Sequence, residues 1–160
     1  MLFRSATVTV TDNGDGTLKA EVSYTSDGTI VNTYSVIPAK LDLEAVKYQE
    51  GKELVNGEFS FQLLKDGALV MTAKNDANGK VLFKDITFTK AGTYTFTIKE
   101  DTTGTEVGVT YDTTVYTVKV LVTDNGDGTL TAESQYSGTI SFTNTYTVPP
   151  KPPVPDTSAR

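Results

Sequence analysis

Three polar side chains fall where apolar ones are expected, and they are the residues of this chain most able to do chemistry together. Lys47 follows Leu41, Leu43 and Ala45 at alternate positions, Glu100 follows Tyr94, Phe96 and Ile98, and Asn144 sits between Phe142 and Tyr146 at the same spacing. An amine, a carboxyl and a carboxamide can trade protons and take part in acyl chemistry. Each also has an ordinary structural account. Lys47 can snorkel from its strand end, Glu100 can lie past the sheet margin beside Asp101, and Asn144 can satisfy a bulge; the coincidence of all three asks for a joint explanation.

A second candidate is the stretch TDNGDGTL, which occurs at Thr11 to Leu18 and again at Thr123 to Leu130. Its acidic, glycine-rich character suggests a calcium loop, but such a loop needs ligands at alternating positions and a bidentate Glu at the twelfth. Counting from Asp12, the third position is Gly14 and the twelfth Ser23; from Asp124 they are Gly126 and Gln135. The spacing fails twice. Asn-Gly and Asp-Gly between alternating strands instead predict tight hairpin turns, because these residues accept positive φ.

Composition removes several other chemistries. The chain has no Cys, His or Trp, so thiol nucleophiles, imidazole bases and the common zinc sites drop out, and neither a metal nor a cofactor is expected. A net charge of -6 without basic clusters argues against nucleic acid and anionic membranes as partners. No segment approaches the roughly 20 apolar residues of a membrane span, and the start lacks the apolar run of a signal peptide. A glycoside hydrolase using paired carboxylates fares poorly, since Glu100 and Asp101 are adjacent and would point to opposite faces of a strand. No multiple-turnover enzyme is expected.

The elements that would position these residues are strands. Short alternating runs rich in Thr, Val, Tyr and Phe, punctuated by turn signals such as NDANGK and KAG, predict an all-β antiparallel sandwich. The runs are Lys40 to Tyr48, Glu58 to Lys65, Ala68 to Lys74, Val81 to Phe88, Gly92 to Glu100, Thr113 to Thr123, Leu130 to Tyr136 and Thr139 to Thr147.

The chain also repeats itself. A shift of 112 residues aligns Val8 to Val36 with Val120 to Val148 without a gap, with 17 of 29 positions identical. The period is too long for a solenoid unit and reads as a domain repeat. Residues 1–37 are therefore expected to be the C-terminal hairpin of a truncated preceding repeat, and residues 38–148 a complete domain. Residues 149–160 form a Pro-rich linker, since VPPKPPVP holds five of the six prolines.

The stretches GEFSFQL, NDANGKVLFKDITFTKAGTYTFTIKE, GVTYDTTVYTVKV and GTISFTNTYT resemble the streptococcal-type pilin isopeptide linkage domain of Gram-positive backbone pilins and surface adhesins. The resemblance covers nearly all of Leu41 to Val148. It implies an immunoglobulin-like sandwich of the collagen-adhesin B type, crosslinked between a Lys on its first strand and an Asn on its last. By position these are Lys47 in LEAVK and Asn144 in FTNTY, with Glu100 in TIKE as the helper acid.

Burial is what would make such a pair react. Desolvation lowers the pKa of a buried lysine and raises that of a buried glutamate. In an apolar pocket of Phe59, Phe61, Phe96, Phe142 and Tyr146, Lys47 would be neutral and Glu100 protonated; Glu100 would then hydrogen-bond the Asn144 carbonyl and pass a proton to the departing ammonia. The implied role is a structural stalk module of a pilus or surface adhesin, acting once on itself. Its partners would be neighbouring repeats of the same surface protein, with sortase and the cell wall suggested by VPDTS at Val154 to Ser158, which is similar to a sorting motif but departs from it at both ends. A ligand-binding adhesin domain recognising a host matrix protein or glycan is the alternative.

Overall fold

The computed structural model describes residues 5–25, 31–104, 106–136 and 138–158, so parts of the 1–37 segment, residues 1–4 and 26–30, lie outside the described residues. The chain divides into two units, Met1–Ser35 and Val36–Arg160.

The first unit is a hairpin. Strands β1 (Ala6–Asp12) and β2 (Leu18–Tyr24) pair antiparallel with Val8 opposite Val22 and Asp12 opposite Leu18. The turn is built by its own side chains: Asp12 accepts the Gly14 N–H at 2.8 Å and Asp15 the Thr17 N–H at 2.9 Å, while Gly14 and Gly16 take φ of 75° and 86°. The second copy of TDNGDGTL repeats these bonds, with Asp124 accepting the Gly126 N–H at 2.9 Å and Asp127 the Thr129 N–H at 3.0 Å. Acidic side chains that cap backbone amides in this way are turn residues, and no cluster of metal-ligating groups occurs among the described residues.

The second unit is an all-β, immunoglobulin-like sandwich, and no helix forms among the described residues. Its strands are β3 (Ala39–Glu50), β4 (Ser60–Lys65), β5 (Ala68–Lys74), β6 (Lys80–Phe88), β7 (Gly92–Glu100), β8 (Val109–Thr110), β9 (Val115–Asp124), β10 (Leu130–Ser134) and β11 (Ser141–Tyr146). One sheet has the order β10-β9-β7-β4-β5 and the other β6-β3-β11-β8. All neighbours are antiparallel except β3 and β11, the first and last long strands of the unit, which run parallel side by side.

Alternation gives each sheet one apolar face, and the two faces meet. The first contributes Phe61, Leu63, Phe96, Ile98, Val118, Val120 and Val122; the second contributes Leu43, Ala45, Val81, Phe83 and Phe142, all buried. On β6 the alternation changes parity between Phe83 and Ile86. The cause is a bulge opposite Leu41 and Leu43, where Asp85 takes a φ of 55° and its N–H is held by Asp42 at 2.8 Å.

Candidate functional site

Where the inner faces of β3, β7 and β11 converge, the core holds three polar side chains. Lys47 is 1% exposed, Glu100 3% and Asn144 0%. Each arrives by alternation: Lys47 continues the inward run of Leu43 and Ala45, Glu100 that of Phe96 and Ile98, and Asn144 follows Phe142.

The backbone around Lys47 is fixed by the turn before β6. The Lys47 N–H donates to the Gly79 carbonyl at 2.7 Å, and a Cβ at Gly79 would stand 2.1 Å from the Lys47 carbonyl oxygen. Gly79 also takes a φ of 87°, so conformation and space both require glycine there.

Glu100 bridges the other two side chains. Its Oε2 lies 2.7 Å from Lys47 Nζ, and its Oε1 accepts from Asn144 Nδ2 at 2.7 Å. The Asn144 carbonyl oxygen is engaged elsewhere, accepting the backbone N–H of Asp112 at 2.8 Å. The expected contact between Glu100 and that carbonyl is thus replaced by one to the amide nitrogen. The reason is chemical: a backbone N–H can only donate, so the atom facing it must be Oδ1, and Nδ2 is left to face the carboxyl.

Asp112 itself lies in the connection between β8 and β9. Its Oδ2 accepts the Thr143 N–H at 2.8 Å and its Oδ1 the Thr114 N–H at 2.9 Å. Burial pushes this carboxyl up, but the hydrogen bonds from Thr114 and Thr143 outweigh it and hold it below its ordinary value.

The aromatics divide. Lys47 Nζ stands 4.8 Å from the Phe59 ring centroid and 5.9 Å from that of Phe61, and Phe142 packs on Phe61 at 5.2 Å. Phe96 lies four residues back along β7 from Glu100, about 13 Å at strand rise, and its ring meets Phe88. The Tyr146 ring faces Lys52 instead of Lys47. Two further aromatics close the site: Tyr111 meets Phe59 edge-on at 5.8 Å, and Tyr116 packs on Phe142 at 5.2 Å while donating its hydroxyl proton to the Ser141 carbonyl. The sequence signal for Asp112 is only its place in YDTT, an Asx-turn pattern that needs the tertiary fold to acquire a second role.

Desolvation dominates the electrostatics. Burial lowers the Lys47 amine and raises the Glu100 carboxyl, and in each case their mutual hydrogen bond opposes the shift without reversing it. Two ions in this apolar surround would each carry a desolvation penalty, whereas a neutral amine beside a carboxylic acid would not. A neutral amine is a nucleophile, and the carboxamide two positions along the neighbouring strand is an acyl group. The arrangement suits one acyl transfer in which the carboxyl touches both the attacking and the leaving nitrogen.

A family model described as FctA, Spy0128-like isopeptide containing domain, matches residues 4–35 and 43–147. No curated protein matches the chain. Among solved structures, a mutant of the major pilin from Streptococcus pyogenes is similar at 20% identity and a TM-score of 0.48, over 66% of this chain and 50% of that one. The chain spans about half the length of that pilin.

Proposed function

The chain belongs to the FctA family of Spy0128-like isopeptide-containing domains, and on that premise we propose that it is a force-carrying stalk module of a pilus or cell-surface adhesin, closed by an intramolecular isopeptide bond between Lys47 and Asn144. The observation that carries this reading is the position of Glu100, with one carboxyl oxygen 2.7 Å from Lys47 Nζ and the other 2.7 Å from Asn144 Nδ2.

In the reaction, neutral Lys47 Nζ adds to Asn144 Cγ. Glu100 takes one proton from Nζ on one oxygen and delivers one to Nδ2 from the other. The Cγ–Nδ2 bond breaks, ammonia leaves, and the Nζ–Cγ amide remains, with the carboxyl returned to its starting state. The protein turns over once, on itself.

The double match of the family model, at residues 4–35 and 43–147, supports the reading that residues 1–37 end a preceding copy of the same domain. So does the exposure of the hairpin's valines. Val8 and Val10 in β1 are the repeat equivalents of Val120 and Val122, yet they are 58% and 57% exposed where the latter are 0% and 2%. Asn32 is the equivalent of Asn144, and its own lysine and glutamate would belong to that preceding domain.

Intact-mass measurement of the folded chain tests the reading. The expected result is a deficit of one ammonia in the wild type, absent from Glu100→Ala and Asn144→Ala. An undiminished mass in a well-folded wild-type sample would sink it.

A further inference from the structure

The reaction above leaves one need unmet. As Nζ adds to Cγ, negative charge develops on Asn144 Oδ1, and Glu100 touches the opposite end of the carboxamide. The group that does touch Oδ1 is the backbone N–H of Asp112, at 2.8 Å, so a donor already faces the oxygen on which that charge develops.

We propose that Asp112 supplies the electrophilic half of the site: its N–H polarises the Asn144 carbonyl and stabilises the charge on Oδ1, while its carboxylate locks that N–H in register with the reacting strand. The inference rests on the isopeptide reading and extends it to a residue outside the Lys-Glu-Asn set. The lock is visible in the bonding. Asp112 accepts from Thr143, the residue immediately before Asn144, and from Thr114, two residues beyond itself. One side chain thereby joins the β8–β9 connection to β11 beside the acyl carbon.

This assignment divides the chemistry by polarity. Glu100 moves protons between Nζ and Nδ2 and makes no contact with the oxygen; Asp112 holds the oxygen and moves no proton. Its carboxylate oxygens point to backbone N–H donors, not to the amine or the amide. Asp112 is therefore a catalytic contact through its peptide N–H and a positioning residue through its side chain. Removing the side chain leaves the N–H present but untethered, and a displaced donor loses much of its effect, because catalysis by preorganised dipoles depends on placement.

The test follows ammonia loss by mass in the full chain, held unfolded in urea from its synthesis and then diluted into buffer, with tyrosine fluorescence reporting folding separately. Asp112→Ala is expected to fold and then lose ammonia about 10- to 100-fold more slowly than wild type. Asp112→Asn, which keeps an acceptor oxygen, should fall between them. Asp112→Ala that folds and reacts at the wild-type rate overturns the proposal while leaving the isopeptide reading intact; a wild type that never loses ammonia removes the reading itself. Should Asp112→Ala fail to fold, hydrogen exchange decides. In the uncrosslinked Glu100→Ala protein the Asp112 amide proton should be protected, and the protection should vanish on adding Asn144→Ala. An Asp112 N–H that exchanges freely in Glu100→Ala overturns the proposal.

Discussion

Lys47 and Asn144 stand on adjacent parallel strands, two positions apart: Lys47 is level with Phe142, and Asn144 with Gln49. They are 97 positions apart in the sequence. Parallel neighbours point paired side chains to the same face, so both project into the core, and a bond between them would join the first and last strands of the unit. By analogy with a disulfide closing a loop of that length, such a bond stabilises by about 4 to 5 kcal/mol through the unfolded chain, in the entropic model.

Charge at this site can be read through stability. In Lys47→Met, Glu100 remains buried without the lysine that opposes its upward shift. A carboxyl raised in the folded state contributes stability that is full below its ordinary value, about 4.3, and is lost as pH rises through the raised value, at about 1.4 kcal/mol per pH unit inside that window. Lys47→Met should therefore weaken as pH rises above the ordinary carboxyl range. In Glu100→Leu the sign reverses: the lowered amine of Lys47 contributes stability present above the ordinary lysine value, about 10.4, and lost as pH falls through the lowered one. Urea midpoints across pH should slope in opposite directions for the two variants, and parallel slopes would show that burial does not control these groups.

The apolar surround should matter by position, not by aromatic content. Phe59→Ala removes a buried ring beside Lys47 Nζ, at a cost of about 3 to 5 kcal/mol, and admits water to the amine. Bond formation should become slow or incomplete by mass. Phe96→Ala should cost a similar amount, because Phe96 is equally buried, yet its ring packs on Phe88, so the folded protein should still lose its ammonia in full.

Much of this arrangement was legible from residue order, and the limits of that legibility are physical. Alternation places Lys47, Glu100 and Asn144 inward because a strand has a period of two, and nothing about their polarity hides it. The same rule assigns a face but not a location along it. That is why Phe96 and Tyr146 share inner faces with the site residues while their rings meet Phe88 and Lys52. Strand β8, two residues long, is too short to carry a pattern. The parallel pairing of β3 with β11 joins segments nearly a domain apart in sequence, which no local signal encodes. Asp112 acts through a backbone N–H common to almost every residue, so only the folded chain distinguishes it.

Gly79 offers a check on how the lysine is held. Gly79→Ala would force an L side chain to a φ of 87° and set its Cβ 2.1 Å from the Lys47 carbonyl oxygen. The strain alone is worth about 1 to 3 kcal/mol, and the clash must shift the turn or β3. A stability loss of about 2 kcal/mol or more is expected, with slower ammonia loss, whereas Gly67→Ala, with open space at its Cβ, should bear only the strain and crosslink at the wild-type rate. Equal rates for the two variants would show that the Gly79 turn does not position Lys47.

The parallel geometry also sets the response to force. Because β3 and β11 run the same way side by side, pulling apart the chain before β3 and the chain after β11 shears the pair lengthwise. With Lys47 bonded to Asn144, tension passes from one strand directly to the other, and the residues between them in sequence carry none. Without the bond, the ladder is the only resistance, and its failure releases those 97 residues, roughly 320 to 350 Å of chain at full extension. Single-molecule pulling should therefore show an unfolding step of about that length in Glu100→Ala and none in the wild type, where only the short ends outside the crosslink can peel. A wild-type step of the same length would mean that the ladder, not a covalent tie, bears the load.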